Sequence, residues 1–154
     1  VQNPNLKVGI VELVERLPPT LQELRLNETG CFGDAGMADW GRLPALKTVD
    51  LWETEVTGDI VELVGKFPTE IEEKLLSGWL QGTKITGDIA ELVLKLPPTT
   101  KRIHVASTGC FGDVSEAFWG WLTALEGVYL KGTKITGTEG DIRAHGCTAR
   151  VVHI

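Results

Sequence analysis

Apolar positions along this chain follow two periods at once. Within short stretches they alternate, as in Leu24/Leu26 after Leu21, Val49/Leu51 after Leu46, Ile103/Val105, Val128/Leu130 after Leu125, and Val152/Ile154. Alternation over so short a span predicts a strand with one side toward a core and the other facing out. Along the whole chain, the last apolar position of each stretch falls at Val1, Leu26, Leu51, Leu80, Val105, Leu130 and Ile154, giving spacings of 25, 25, 29, 25, 25 and 24. The third stretch, Leu75/Gly78/Leu80, is the poorest match. A period of this size predicts stacked units, each able to bury its apolar side only against its neighbours.

Polar positions repeat in the same register. A Thr follows each strand, at 29, 54, 83, 108 and 133, and Pro4 stands in its place at the start. Its hydroxyl is expected to lie inside the turn and to bond backbone groups that the bend leaves unpaired. Two phrases then recur: Thr-x-Ile/Val-Thr-Gly-Asp-Ile at 54–60 and 83–89, and Thr-Gly-Cys-Phe-Gly-Asp at 29–34 and 108–113. Asp59 with Glu62, Asp88 with Glu91, and Asp113 with Glu116 have capping-box spacing, with Asp as N-cap and Glu three residues on. The apolar runs behind them, such as Ile60–Val64 and Ile89–Val93, suit one or two helical turns. Pro68 and the pairs Pro18-Pro19 and Pro97-Pro98 close such runs, because Pro cannot continue a helix and holds the residue before it extended. Each unit therefore reads as strand, turn, short helix, Pro-containing return and next strand.

A longer repeat overlies this one. Leu17-Pro18-Pro19-Thr20 recurs as Leu96-Pro97-Pro98-Thr99, and Trp40 recurs as Trp119, both at an offset of 79, which equals three units of 25, 29 and 25. Trp40 and Trp119 are expected to fill space inside their units. Trp121 aligns with Arg42 and is left as an exposed contact. The 29-residue unit owes its length to an insertion around Pro68 to Lys74 carrying Glu70, Glu72 and Glu73, expected to be a solvated bulge on the return side.

Composition narrows the function classes. A hydrophobic share of 42% supports a packed core. The net charge of −6 argues against a nucleic-acid partner, which would call for a basic stripe. No apolar run approaches the roughly 18 residues of a membrane-spanning helix, so no membrane insertion is expected. Cys31 and Cys110 occupy the register of Val56, Ile85 and Ile135, and so read as small buried hydrophobes. Three units separate them, about 14 Å at the usual strand spacing, too far for a disulfide. Cys147 leaves the count odd. No zinc spacing or calcium nonapeptide is present, and no cofactor or metal is expected.

The Leu-x-x-Leu-x-Leu-x-x-Thr segments at 21–29, 46–54 and 125–133 resemble the signature of the leucine-rich repeat family, with Thr where that family usually has Asn or Cys. Thr-Gly-Asp-Ile looks like a variant of the phrase that follows in the plant-type subclass. The resemblance spans the whole chain. It implies an α/β fold: a right-handed leucine-rich-repeat solenoid with a parallel sheet on its concave face and short helical turns on the convex side. Residues 1–154 would form a single solenoid of about six units. Val1 and Ile154 sit at the same phase of the unit without cap-like ends, which suggests part of a longer array.

In such a repeat the outward strand positions line the concave face. The central column reads Arg25, Asp50, Trp79, His104, Tyr129 and His153, and the next reads Asn27, Trp52, Gln81, Ala106 and Lys131. Trp52, Trp79, His104 and Tyr129 form an aromatic stripe of the kind that anchors protein interfaces. Arg25, Asp50, Arg102 and Lys131 flank it. Ser77, His104 and Asp50 share the face, but no nucleophile elbow or phosphate loop supports catalysis, and an enzyme is not expected. The leading expectation is a non-enzymatic module that binds a protein partner through this face. The alternatives are a scaffold subunit of a larger assembly and the recognition domain of a longer receptor or enzyme.

Overall fold

The computed structural model describes residues 5–67, 71 and 78–154. The expectations about Val1, Pro4, Leu75, Ser77 and the three insertion glutamates lie outside the described residues.

The chain is a mixed α/β structure in which every strand pairing is parallel. The predicted strands form at Glu23–Arg25 (β1), Thr48–Asp50 (β3), Arg102–His104 (β6), Gly127–Tyr129 (β8) and Val151–His153 (β10). β1 pairs with β3 and β6 with β8 one unit of 25 apart, Glu23 opposite Thr48 and Arg102 opposite Gly127. β10 joins β8 with Val151 opposite Gly127. Leu24, Val49, Ile103 and Val128 point inward and are buried, as the alternation requires.

A second ladder was not anticipated. The segments read as turns after the Thr positions are strands: Phe32–Asp34 (β2), Glu55–Thr57 (β4), Thr86–Asp88 (β5), Gly109–Asp113 (β7) and Lys134–Thr136 (β9). β2 pairs with β4, and β5, β7 and β9 form a row. Here Phe32 faces Glu55 and Phe111 faces Lys134, so this ladder runs two residues out of the repeat phase. A slip of two keeps the same side inward. Cys31, Val56, Ile85 and Cys110 are accordingly all buried. The three cysteines are free, and burial pushes the thiols of Cys31 and Cys110 up to about 11.

The two ladders differ at the weakest repeat. Trp79 does not extend the first ladder as a strand, although its carbonyl accepts from the Leu51 N–H at 3.0 Å. Gly78 explains the interruption. Its φ is +114°, and a Cβ there would lie 3.1 Å from His104 Nδ1. The second ladder carries continuity across this point, with Lys84 N–H on Val56 O at 3.0 Å and Thr86 N–H on Gly58 O at 2.9 Å.

The turn chemistry follows the sequence. The hydroxyls of Thr29, Thr54, Thr83, Thr108 and Thr133 donate to the carbonyls of Leu26, Leu51, Leu80, Val105 and Leu130, at 2.5 to 2.7 Å. Each bond closes the turn within its own unit and does not reach the next one. Asp59 accepts from the N–H groups of Val61 and Glu62, and Asp88 from those of Ala90 and Glu91. These are N-caps of helices Ile60–Lys66 and Ile89–Lys95.

The expected capping boxes are corrected. The Asp oxygens accept from the helix N–H groups, but the Glu side chains do not bond back to the cap residues, which belong to the second ladder. Asp113 caps only the 3₁₀ turn Val114–Glu116. A true box occurs instead at Thr138 and Asp141, ahead of helix Glu139–Ala144. Leu17, Phe67 and Leu96, each before a Pro, are extended and end their helices. Trp40 and Trp119 are buried, and their indole N–H groups donate to Ala35 O and Val114 O at 2.8 and 2.7 Å.

Candidate interaction face

The first ladder sets the spacing of the candidate residues, because its register aligns Arg25 with Asp50, and His104 with Tyr129 and then His153. Inward neighbours such as Val49, Leu51, Ile103, Val105 and Val128 are fully buried, so the outward side chains stand on a packed base.

The structure brings the four predicted aromatics together in two connected groups. Trp52, Trp79 and His104 line one open depression with Asp50, Gly78 and Gln81. From His104 the rings continue across the strands. His104 and Tyr129 have centroids 4.9 Å apart, and Tyr129 and His153 have centroids 5.3 Å apart with planes at 27°. His153 lay in the predicted column but outside the predicted set, and its ring completes the stack. Two glycines make room. The His104 ring lies over Gly78, and the Tyr129 ring lies over Gly127, where a Cβ would come within 2.8 Å of Tyr129 Cε2. A glycine two residues before an outward aromatic on the same strand is a signal that sequence reading could have used for Tyr129.

The charged flank is less unified. Arg25 forms an exposed ion pair with Glu23 at 3.3 Å and borders a separate depression with Leu6, Leu13, Leu24 and Leu26. Asp50 accepts from the Trp52 N–H at 3.2 Å. Arg102 is exposed on β6, and Lys131 is exposed in the turn after β8. At the other end Glu28, Glu53 and Glu55 border Trp52, and Glu55 pairs with Lys84. The face thus runs from carboxylates near Trp52 to Arg102, Lys131 and two histidines around Tyr129. Burial pushes the His104 imidazole below the ordinary histidine value.

Ser77, the third member of the trio weighed for catalysis, lies outside the described residues. Among the described residues no three His, Cys, Asp or Glu side chains cluster as a metal site. Among them, too, no helix is long and apolar enough to cross a membrane. What the face offers chemically is ring surface flanked by charge of both signs, with His104 and Tyr129 on strands of fixed register and Trp52 and Trp79 in turns.

No family model matches this chain, and no curated protein matches it. Among solved structures it is similar to one described as a plant peptide hormone receptor, RGFR1, in complex with RGF2. Identity is 17% and the TM-score 0.38, over 100% of this chain and 34% of the receptor chain. The chain therefore spans about a third of that receptor chain's length.

Proposed function

We propose that residues 1–154 form one leucine-rich-repeat-type solenoid of about six units, and that it acts as a non-enzymatic module binding a protein partner through the outward face of the first ladder. The observation that carries this reading is the connected aromatic surface of Trp52, Trp79, His104 and Tyr129. Such rings dominate interface energetics, and rings held on strands, as His104 and Tyr129 are on β6 and β8, lose little ordering entropy on binding. Five or six strand positions at about 4.8 Å give a face roughly 25–30 Å across, enough for a standard-sized interface. Asp50 contributes at the Trp52 depression, and Arg25, Arg102 and Lys131 serve as rim charges. Rim charges act mainly on partner choice and association rate.

The test is affinity capture with the purified chain and with Trp52→Ala/Trp79→Ala/Tyr129→Ala. A partner retained by the parent and lost by the folded triple variant supports the reading. Equal recovery by both sinks it.

A further inference from the structure

The charges on the aromatic face are sorted by sign along the ladder. In the strand and turn positions of β1 and β3, five carboxylates, Glu23, Glu28, Asp50, Glu53 and Glu55, stand against Arg25 alone. Their counterparts 79 residues on are Arg102, Ser107, Tyr129, Gly132 and Lys134. Every carboxylate is gone, two have become cations, and Trp52 has become a third cation, Lys131. The backbone does not impose this change. β1 and β3 pair in the same register as β6 and β8, and Glu28 and Ser107 share φ values of 57° and 55°. A molecule of net charge −6 thus carries one face with an acidic and a basic end.

These charges are available to a partner. At the acidic end Arg25 is tied to Glu23, and Lys84 to Glu55. Among the described residues, Glu28, Asp50 and Glu53 form no ion pair, and neither do Arg102, Lys131 and Lys134 at the other end. Glu28, Glu53 and Glu55 border a depression of about 510 Å³ walled by Trp52. An indole face beside carboxylates suits a guanidinium or ammonium group, through cation–π attraction as well as charge. The rings of Trp79, His104 and Tyr129 lie between the two ends.

Resting on the protein-binding reading above, we propose that the partner lays an extended segment across the strands, with a cationic side chain at the Trp52 end and an anionic one at the Arg102 and Lys131 end. Charge complementarity sets this polarity, since like charges brought together in the wrong orientation are penalised. The distance suits an extended chain. Three unit spacings separate the turn of Trp52 from that of Lys131, roughly 15 Å, which about five extended residues cover. A second copy of the face has matching charges, but little to insert. Its His104 and Tyr129 rings lie down over Gly78 and Gly127, and so do not project into a depression such as the one beside Trp52. A separate segment brings side chains that can enter it.

The experiment titrates the ¹⁵N-labelled chain with four end-blocked six-residue peptides, each with Ser-Leu-Ser-Leu between its end residues. Two carry arginine at one end and glutamate at the other, in either order; the controls carry two arginines or two glutamates. At least one mixed peptide should bind about threefold or more tighter than both controls, and should shift the amide signals of Trp52 and Lys131 together. Arg102→Glu/Lys131→Glu alters exposed side chains and should keep its circular dichroism; it should transfer the preference to the double-arginine peptide. Glu28→Lys/Glu53→Lys should transfer it to the double-glutamate peptide. A mixed peptide no tighter than the controls, a preference that the variants leave in place, or no binding of any peptide up to roughly 5 mM, a limit set by the weakest specific contacts, overturns the proposal. Sedimentation equilibrium of the chain alone tests the other occupant: a dimer abolished by Arg102→Glu/Lys131→Glu assigns the complementary charges to a second copy and also overturns it. Where the peptides ignore charge but capture still depends on Trp52, Trp79 and Tyr129, this inference falls and the protein-binding reading stands.

Discussion

Residues 9–47 and 88–126 carry the same fold positions 79 apart, yet they treat inside and outside differently. Inside they agree closely. Thr29 and Thr108 make the same bond, Cys31 and Cys110 are both buried, and Trp40 and Trp119 donate to carbonyls five residues back. Outside, the face changes at every candidate position that has a counterpart 79 residues away. Arg25 becomes His104, and the corresponding offsets beyond turn Asp50 into Tyr129 and Trp52 into Lys131. Glu23 becomes Arg102, a reversal of charge. On the first ladder the inward positions are identical or conservative while the outward ones have diverged, whereas on the second ladder Phe32 and Phe111 are exposed and identical. On the first ladder, then, the inward residues carry the fold, and the outward ones are free to differ.

The largest test of this comparison is on the buried tryptophans. Trp40→Ala and Trp119→Ala should each cost about 3–5 kcal/mol, the range for emptying a large aromatic site. Trp119→Ala should be the worse of the two. Trp40 packs against Phe67 with centroids 4.6 Å apart, a side chain able to relax into the gap. The position matching Phe67 is Gly146, which sits so close to Gly120 that a Cβ would come within 2.9 Å of its Cα. A backbone wall of that kind has little room to collapse. Urea denaturation of both variants measures the difference. Costs under 1 kcal/mol for either would break the claim that these residues hold their units together.

A smaller effect is expected at the Thr positions. Thr29→Val and Thr108→Val keep the shape but leave a buried strand-end carbonyl without its hydroxyl donor, at a cost of about 1–3 kcal/mol each. Both bonds are short and close equivalent turns, so the two variants should cost nearly the same, and the double variant should equal their sum within about 0.5 kcal/mol. A clear inequality would show that the two copies are not equivalent inside.

How much of this was legible in the sequence depends on what each residue's role required locally. The first ladder was readable because Leu24, Val49, Ile103 and Val128 alternate with polar neighbours on a 25-residue period. The Thr bonds and Asp caps were readable because both act within three residues of themselves. The second ladder was not. Its strands contain Gly-Asp, which favours turns, and their pairing comes from the neighbouring unit, as in Gly87 opposite Cys110. Glycine is nonetheless required there: Gly87 has φ +140°, and a Cβ would meet Ile60 Cγ2 at 2.7 Å. On the candidate face, the column assignments followed from the period. The ring stack through His153 did not, because it depends on how Tyr129 leans over Gly127. Arg25 shared the column but not the cluster, since its guanidinium turns to Glu23 on its own strand.

The smallest expected effect sharpens the contrast between the two faces. Arg25 has as its counterpart His104, whose imidazole can change charge near neutral pH. Burial against Gly78 and the Tyr129 ring lowers the His104 pKa in the folded chain, because desolvation penalises the imidazolium. The unfolded chain then takes up this proton at a higher pH than the folded one. The sign follows from proton linkage: the stability that neutral His104 contributes is fully present above its unfolded value of about 6.5 and is lost as pH falls below that value toward the folded pKa. Partial exposure of the ring keeps the effect small. Melting temperatures of the parent and of His104→Gln between pH 8 and 5 isolate it, because the two chains differ only at this side chain. The parent should lose more than the variant on acidification, and the divergence should begin near pH 6.5. A difference that stays flat through this window would mean that the imidazole is as well solvated as Arg25, and that the second copy's face is no drier than the first's.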